Sequence, residues 1–338
     1  MSKVAVFWIE AHKGIGLGHL FESTVLAAAL KSRGADVHFI CDDYPPSKQV
    51  LESKSLDYSL IDKTNLEQVH SKVSELSVDI VLVNHRTVEL GSLEVFSDDV
   101  VLGVIDQLGN KTIKCDVLFN RSLQEDWLRY DFVGTKPKCC FGADYALLND
   151  DFTNSTGNNG AIASDPKQIL ITMGGVDRTG ATLRIVQAFK NTPFIRKQVI
   201  LGPGFPYDDD LKKILECLDD NSFVVDKAVP SLSPYIQNST LAISAGGNSM
   251  YEFACLGVPS IVLWEDDHER VQGECFQERG VSVCLGNGLE TPKSVIKDKT
   301  LELLSSSKVL AQMSKNSREL VDGRGAERSA QILLDAAE

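Results

Sequence analysis

The residues best suited to chemistry in this 338-residue chain lie in three glycine-bearing loops, and one loop ends in a histidine. The first reads Gly14-Ile15-Gly16-Leu17-Gly18-His19. Alternate glycines leave backbone N–H groups bare, and a helix start behind them adds partial positive charge, which favours an anion such as a phosphate. A dinucleotide fingerprint is excluded because positions 19 and 21 are His19 and Phe21. A P-loop is excluded because no Gly-Lys-Ser/Thr follows. An imidazole titrates near neutral pH, so His19 can take a proton from water. A histidine at a helix start is more often a cap or a packed ring, and His12 is a rival for the same role.

The second loop, Met173-Gly174-Gly175-Val176-Asp177, follows an apolar run. The third, Ser244-Ala245-Gly246-Gly247-Asn248-Ser249, runs into a helical stretch at Met250 to Leu256. Gly246, Gly247 and Ser249 offer N–H and hydroxyl donors to a diphosphate, and Glu252, one turn on, can accept from two ribose hydroxyls. A plain glycine turn before a capped helix reads the same way. Asn84-His85-Arg86 and Asp106-Gln107 end strand-like runs, where they can face a ligand or merely end a strand. Glu265-Asp266-Asp267-His268-Glu269-Arg270 has the composition of a metal site, but consecutive side chains diverge, so a solvated loop is expected. No Gly-x-Ser-x-Gly elbow supports serine hydrolysis. The eight cysteines form no Cys-x-x-Cys pair, and buried, reduced thiols are expected.

These loops need a scaffold. Val4 to Ile9, Val37 to Cys41, Ile80 to Asn84, Val100 to Asp106 and Val117 to Asn120 are predicted strands, with helices at His19 to Arg33 and Asn65 to Leu76. The alternation restarts with predicted strands at Ile169 to Met173, Val199 to Leu201, Phe223 to Val225, Leu241 to Ser244 and Ile261 to Trp264. Helices are expected at Thr179 to Phe189, Thr291 to Ser305, Val309 to Val321 and Glu327 to Ala337. Apolar strands alternating with helices imply parallel sheets covered on both faces. The polar, glycine-rich stretch at 151–166 is the expected linker between domains at 1–150 and 167–338, with the last helix able to pack back on the first domain. The fold class is therefore α/β, with two Rossmann-like domains facing each other across a cleft and ligands outside the carboxyl ends of the strands. A formal net charge of −13 argues against a chain-wide cationic surface for nucleic acid or an anionic membrane. No apolar run approaches the roughly 20 residues of a membrane span, and a cytoplasmic protein is expected.

The combined motifs resemble the PseG family, the UDP-linked diacetamido-trideoxy-sugar hydrolases of pseudaminic acid biosynthesis, relatives of the MurG-type glycosyltransferases. The resemblance spans nearly the whole chain. It rests on Gly16-Leu17-Gly18-His19, on Val104-Ile105-Asp106 with Cys115 to Asn120, and on Phe141 to Leu148 with Asp151-Phe152. It continues through Ile171 to Asp177, Ile243 to Gly247 with Glu252, and Leu256-Gly257-Val258-Pro259. It implies a GT-B-like, metal-independent hydrolase that releases UDP from an amino sugar with inversion at the anomeric carbon. His19 would activate water. Gly174, Gly175, Gly246, Gly247, Ser249 and Glu252 would hold UDP, and Gly16, Gly18, Arg86, Asp106, His268 and Glu269 would meet the rest of the substrate. No cofactor and no metal is expected, and the partner is a UDP-sugar rather than nucleic acid or an inserted membrane. Three positions depart from the family pattern: Glu22 replaces an arginine, Asn84-His85-Arg86 replaces Asp-His-Tyr, and His268-Glu269 replaces Asn-Gln. Arg86 and His268 would suit a more acidic sugar or acceptor. The alternatives are a MurG-like glycosyltransferase and a non-catalytic nucleotide-sugar binding protein.

Overall fold

A computed structural model describes residues 2–13, 17–62, 64–89, 96, 99–153 and 167–338. The chain forms two compact units, Met1–Asn149 with Gly323–Glu338, and Asp150–Asp322.

The first unit contains β1 (Val4–Ile9), β2 (Asp36–Cys41), β3 (Asp57–Leu60), β4 (Ile80–Asn84), β5 (Val101–Ile105), β6 (Lys111–Ile113), β7 (Val117–Asn120), β8 (Tyr130–Phe132) and β9 (Lys138–Phe141). Seven of them form one sheet in the order β3-β2-β1-β4-β5-β7-β9, while β6 and β8 pair separately. The pairs are parallel, with Ala5 of β1 opposite both Val37 and Ile80. Strand β1 shows why its sequence is apolar throughout. Ala5, Phe7 and Ile9 enter a core shared with Leu20, Leu26 and Leu30 of helix α1 (Gly18–Lys31). Val6 and Trp8 enter the opposite core, with Val69 and Val73. Successive side chains point to opposite faces, so a sheet covered on both sides leaves no position for a polar residue. Helices α2 (Pro45–Ser53) and α3 (Leu66–Glu75) complete the early alternation.

The second unit begins with the short helix α4 (Asp150–Thr153). Its strands β10 (Gln168–Thr172), β11 (Arg196–Leu201), β12 (Phe223–Lys227), β13 (Leu241–Ser244), β14 (Ser260–Trp264) and β15 (Ser282–Asn287) form a parallel sheet in the order β12-β11-β10-β13-β14-β15. Its further helices are α5 (Ala181–Ala188), α6 (Asp208–Leu218), α7 (Ser233–Gln237), α8 (Ser249–Cys255), α9 (Asp267–Glu278), α10 (Lys293–Ser305) and α11 (Ser307–Leu320). Helix α12 (Gly325–Ala336) returns to the first unit. There Leu333 approaches β5 so closely that a Cβ on Gly103 would lie 3.0 Å from it.

The expected linker is shorter at its start than its composition suggests. Asp151 to Thr153 are helical, because Phe152 is an apolar anchor buried to 3% exposure within the polar stretch. The Cys255 thiol donates to the Phe152 carbonyl, and the Ser233 hydroxyl donates to that of Asp151. Residues 154–166 lie outside the described residues. None of the eight cysteines forms a disulfide; Cys41, Cys115, Cys140 and Cys275 are buried, but Cys139, Cys255 and Cys284 are only half-buried and Cys217 is exposed. Among the described residues no helix is long and apolar enough to cross a membrane.

Candidate functional site

In each sheet the direction of growth reverses once, between β1 and β4 and between β10 and β13. The carboxyl ends of the two strands at such a reversal diverge into loops on opposite faces, which opens a crevice for ligand.

At the first reversal, β1 runs into Glu10 and β4 into Asn84-His85-Arg86. Glu10 is wholly buried. Its carboxylate accepts from the backbone N–H groups of Arg86 (2.9 Å) and Thr87 (3.2 Å), from the Thr87 hydroxyl (2.8 Å), and from His12 Nε2 (3.0 Å). His19, at 6% exposure, sits in the first turn of α1. Its Nδ1 lies 3.2 Å from the Asn84 carbonyl. A carbonyl only accepts, so Nδ1 carries the proton and Nε2 keeps the lone pair. Burial pushes the imidazole below its ordinary value; Arg86 adds to this, while Glu22, the Asn84 carbonyl and Glu10 oppose it. The ring is therefore neutral at neutral pH, the form a general base requires.

The loops at the second reversal present backbone. Gly174 has φ +77°, the left-handed region that favours glycine. A Cβ on Gly246 would lie 2.2 Å from the Glu269 carbonyl, so the third glycine loop packs directly on the start of α9. Gln272 of that helix donates through one amide nitrogen to the carbonyls of Gly246 (2.5 Å) and Gly247 (2.8 Å). Two consecutive carbonyls are thereby held by one donor, and that of Gly247 also accepts from Met250 N–H at 3.2 Å. A cavity of about 330 Å³ is lined by Gly174, Gly175, Arg178, Gly247, Ser249 and Glu269, among others. A larger one, about 720 Å³, surrounds Arg196, Asn221 and Val224 at the strand starts, away from these loops. Burial pushes the Glu269 carboxyl up to about 7, opposed mainly by the Glu265 N–H that donates to it. Glu252 is also pushed up to about 7 by burial, against a hydrogen bond from Ser249, and its Oε2 is buried without a hydrogen-bond partner.

The residues singled out from the sequence divide between these places. His19, Gly18 and Arg86 are at the first reversal, where the Arg86 side chain is exposed; Gly16 lies outside the described residues. Asp106 is nearby but occupied, accepting from Gly109 N–H (2.6 Å), Lys111 (2.8 Å) and the Tyr130 hydroxyl (2.9 Å). Gly174, Gly175, Gly246, Gly247, Ser249, Glu252 and Glu269 cluster at the second reversal, and His268 is half-buried beside Glu269. One expectation is overturned. The run from Glu265 to Arg270 is a helix start, not a solvated loop: Asp266 caps α9 by accepting from Glu269 N–H at 3.0 Å. The Asp-x-x-Glu spacing resembles a capping box and could have revealed it. Among the described residues no group of three His, Cys, Asp or Glu is placed to hold a metal ion. Glu10, Gln272 and Arg178 went unmarked in the sequence. Glu10 had a signal, a carboxylate directly after six apolar residues; the other two had none.

No known protein-family profile matches this chain. It is similar to the spore coat polysaccharide biosynthesis protein SpsG of Bacillus subtilis, 23% identical over 331 residues, covering 96% of this chain and 95% of that protein. It is 28% identical over 113 residues to the UDP-N-acetylglucosamine–N-acetylmuramyl-(pentapeptide) pyrophosphoryl-undecaprenol N-acetylglucosamine transferase of Nostoc punctiforme, covering 32% of this chain and 31% of that one. Among solved structures, MurG of Acinetobacter baumannii superposes with a TM-score of 0.71 at 14% identity, covering 98% of this chain and 99% of that one. A putative UDP-N-acetylglucosamine 2-epimerase of Listeria monocytogenes gives 0.70 at 16% identity, covering 100% and 97%. The fold is thus α/β with two Rossmann-like units of the GT-B kind.

Proposed function

We propose that the protein transfers a sugar from a UDP-sugar to an acceptor hydroxyl in the assembly of a polysaccharide. The observation that carries this reading is His19, a buried, neutral imidazole at a strand-order reversal with its Nδ1 proton committed to the Asn84 carbonyl. The similarity to a polysaccharide biosynthesis protein over almost the entire chain supports it. In the proposed reaction Nε2 of His19 takes the acceptor proton while the acceptor oxygen attacks the anomeric carbon. The bond to UDP breaks and its electron pair stays on the diphosphate, which the amides around Gly246 and Gly247 and the start of α8 stabilise. A single displacement inverts the anomeric centre. Gly174, Gly175, Ser249 and Glu252 complete the UDP site, with Glu252 on the ribose; Arg86, His268 and Glu269 are assigned to sugar or acceptor.

A second reading has water as the acceptor. It is favoured by the motif set from Gly18-His19 to Pro259, which resembles a hydrolase family. Purified protein incubated with UDP-diacetamido-trideoxy sugars and with UDP-N-acetylglucosamine separates the two. UDP released only with an added hydroxyl acceptor supports transfer, and release in water alone supports hydrolysis. UDP binding with no turnover of any donor would defeat both and leave a binding protein.

A further inference from the structure

Glu22 is the position at which an arginine was expected, and it is buried. It lies three residues after His19 on α1, hence on the same helix face. Its Oε1 accepts from Arg121, beyond β7, at 2.7 Å. Its Oε2 accepts from Gln107, beyond β5, at 2.8 Å, and from the Asn84 side-chain amide, at the end of β4, at 3.2 Å. One carboxylate thus ties helix α1 to the ends of three neighbouring strands. The Asn84 amide also reaches the Ser23 hydroxyl (3.3 Å) and the His19 carbonyl (3.4 Å). The main-chain carbonyl of this same Asn84 accepts from His19 Nδ1 and from Glu10 N–H (3.1 Å). Asn84 therefore grips the histidine from its main chain and Glu22 from its side chain.

We propose that Glu22 is a positioning residue for His19: through the Asn84 side chain it fixes the carbonyl that receives the Nδ1 proton, and Arg121 balances its charge. The idea rests on the reading of His19 as the base, but can fail separately from it. Two consequences follow from the geometry. His19 is held as the Nδ1-protonated tautomer. The two ends of the Glu22–Arg121 pair also act on it with opposite sign. The charges facing His19 are Glu22 on its own helix, Glu10 after β1 and Arg86 after β4; Arg121 acts behind Glu22. Removing the Glu22 charge takes away an anion that favours imidazolium. Removing the Arg121 charge leaves that anion unbalanced.

The test needs no substrate. Nitrogen-15 NMR of the histidine rings, with His19 assigned by its loss in His19→Ala, reports tautomer and titration midpoint directly. The expected result is an Nδ1-protonated neutral ring in the native protein. The midpoint should fall in Glu22→Gln and rise in Arg121→Gln, each by about one pH unit, and return in Arg121→Lys. An Nε2-protonated ring in the native protein overturns the proposal even if a variant fails to fold. So do midpoints that stay put, or that move in the same direction in Glu22→Gln and Arg121→Gln. Retained turnover in His19→Ala would instead defeat the base assignment and leave the NMR result standing.

Discussion

At the reversal in the first unit, side chains occupy the crevice walls: Glu10, His19, Glu22, Asn84 and Arg121 bond one another, and each carboxylate meets several donors. At the reversal in the second unit glycine backbone contributes to the walls, and among the nearby carboxyls Glu252 and Glu269 are pushed up by burial to about 7. The same topology thus yields one place that holds a histidine in a defined protonation state and another where glycine backbone lines a cavity. Strand order decides where a crevice opens, and loop composition decides which chemistry occupies it.

The largest expected effect tests this division of labour. His19→Ala should lower turnover by roughly 10²- to 10⁴-fold while calorimetric UDP affinity is unchanged; a parallel loss of UDP affinity would break the comparison. Gln272→Leu should act in the reverse sense. The buried Gly246 carbonyl loses its donor and the half-buried Gly247 carbonyl keeps only Met250 N–H, which costs about 1–3 kcal/mol, and UDP affinity should fall about tenfold or more while uridine affinity holds. Equal losses for UDP and uridine would mean that Gln272 does not shape the diphosphate loop.

Glu252 links pH to stability. Its folded value is raised above the ordinary one, so on raising pH the unfolded chain loses this proton first and stability falls between about 4.5 and about 7. Glu252→Gln should therefore stabilise the protein by about 3 kcal/mol at pH 8 and leave it unchanged at pH 4, while weakening UDP binding through the ribose. Equal melting temperatures at pH 8 would show that burial does not raise the carboxyl. The smallest effect concerns Glu269. As pH rises through about 7 it becomes an anion lining the cavity, so UDP affinity should decline from pH 6 to pH 8 more steeply in the native protein than in Glu269→Gln. Identical slopes would remove Glu269 from the site.

Much of the fold was legible because β1, β4, β7 and β13 are short apolar runs buried on both faces, and such runs have few alternatives. Strand β15 was not, since SVCLGN alternates irregularly and turns on Gly286 at φ +132°. Helix α9 was hidden by the charged first turn that caps it. In the site, His19 and the glycine loops stood out because their conformational and acid–base properties are local. Glu22 was visible only as an oddity beside His19, because its meaning depends on Gln107 and Arg121, about 85 and 99 residues away.

The sequence by itself determined two runs of strand–helix alternation, three loops able to approach an anion, and a histidine at the start of a helix. These follow from properties each residue carries wherever it is placed: the missing Cβ of glycine, the apolar surface of β-branched side chains, the near-neutral titration of imidazole. Tertiary structure decided which nitrogen of His19 is basic, that Asp106 is occupied by its own loop, and that one glutamine amide orients a glycine loop. Those outcomes depend on hydrogen-bond partners and burial contributed by strands far apart in the chain, and no local pattern encodes them.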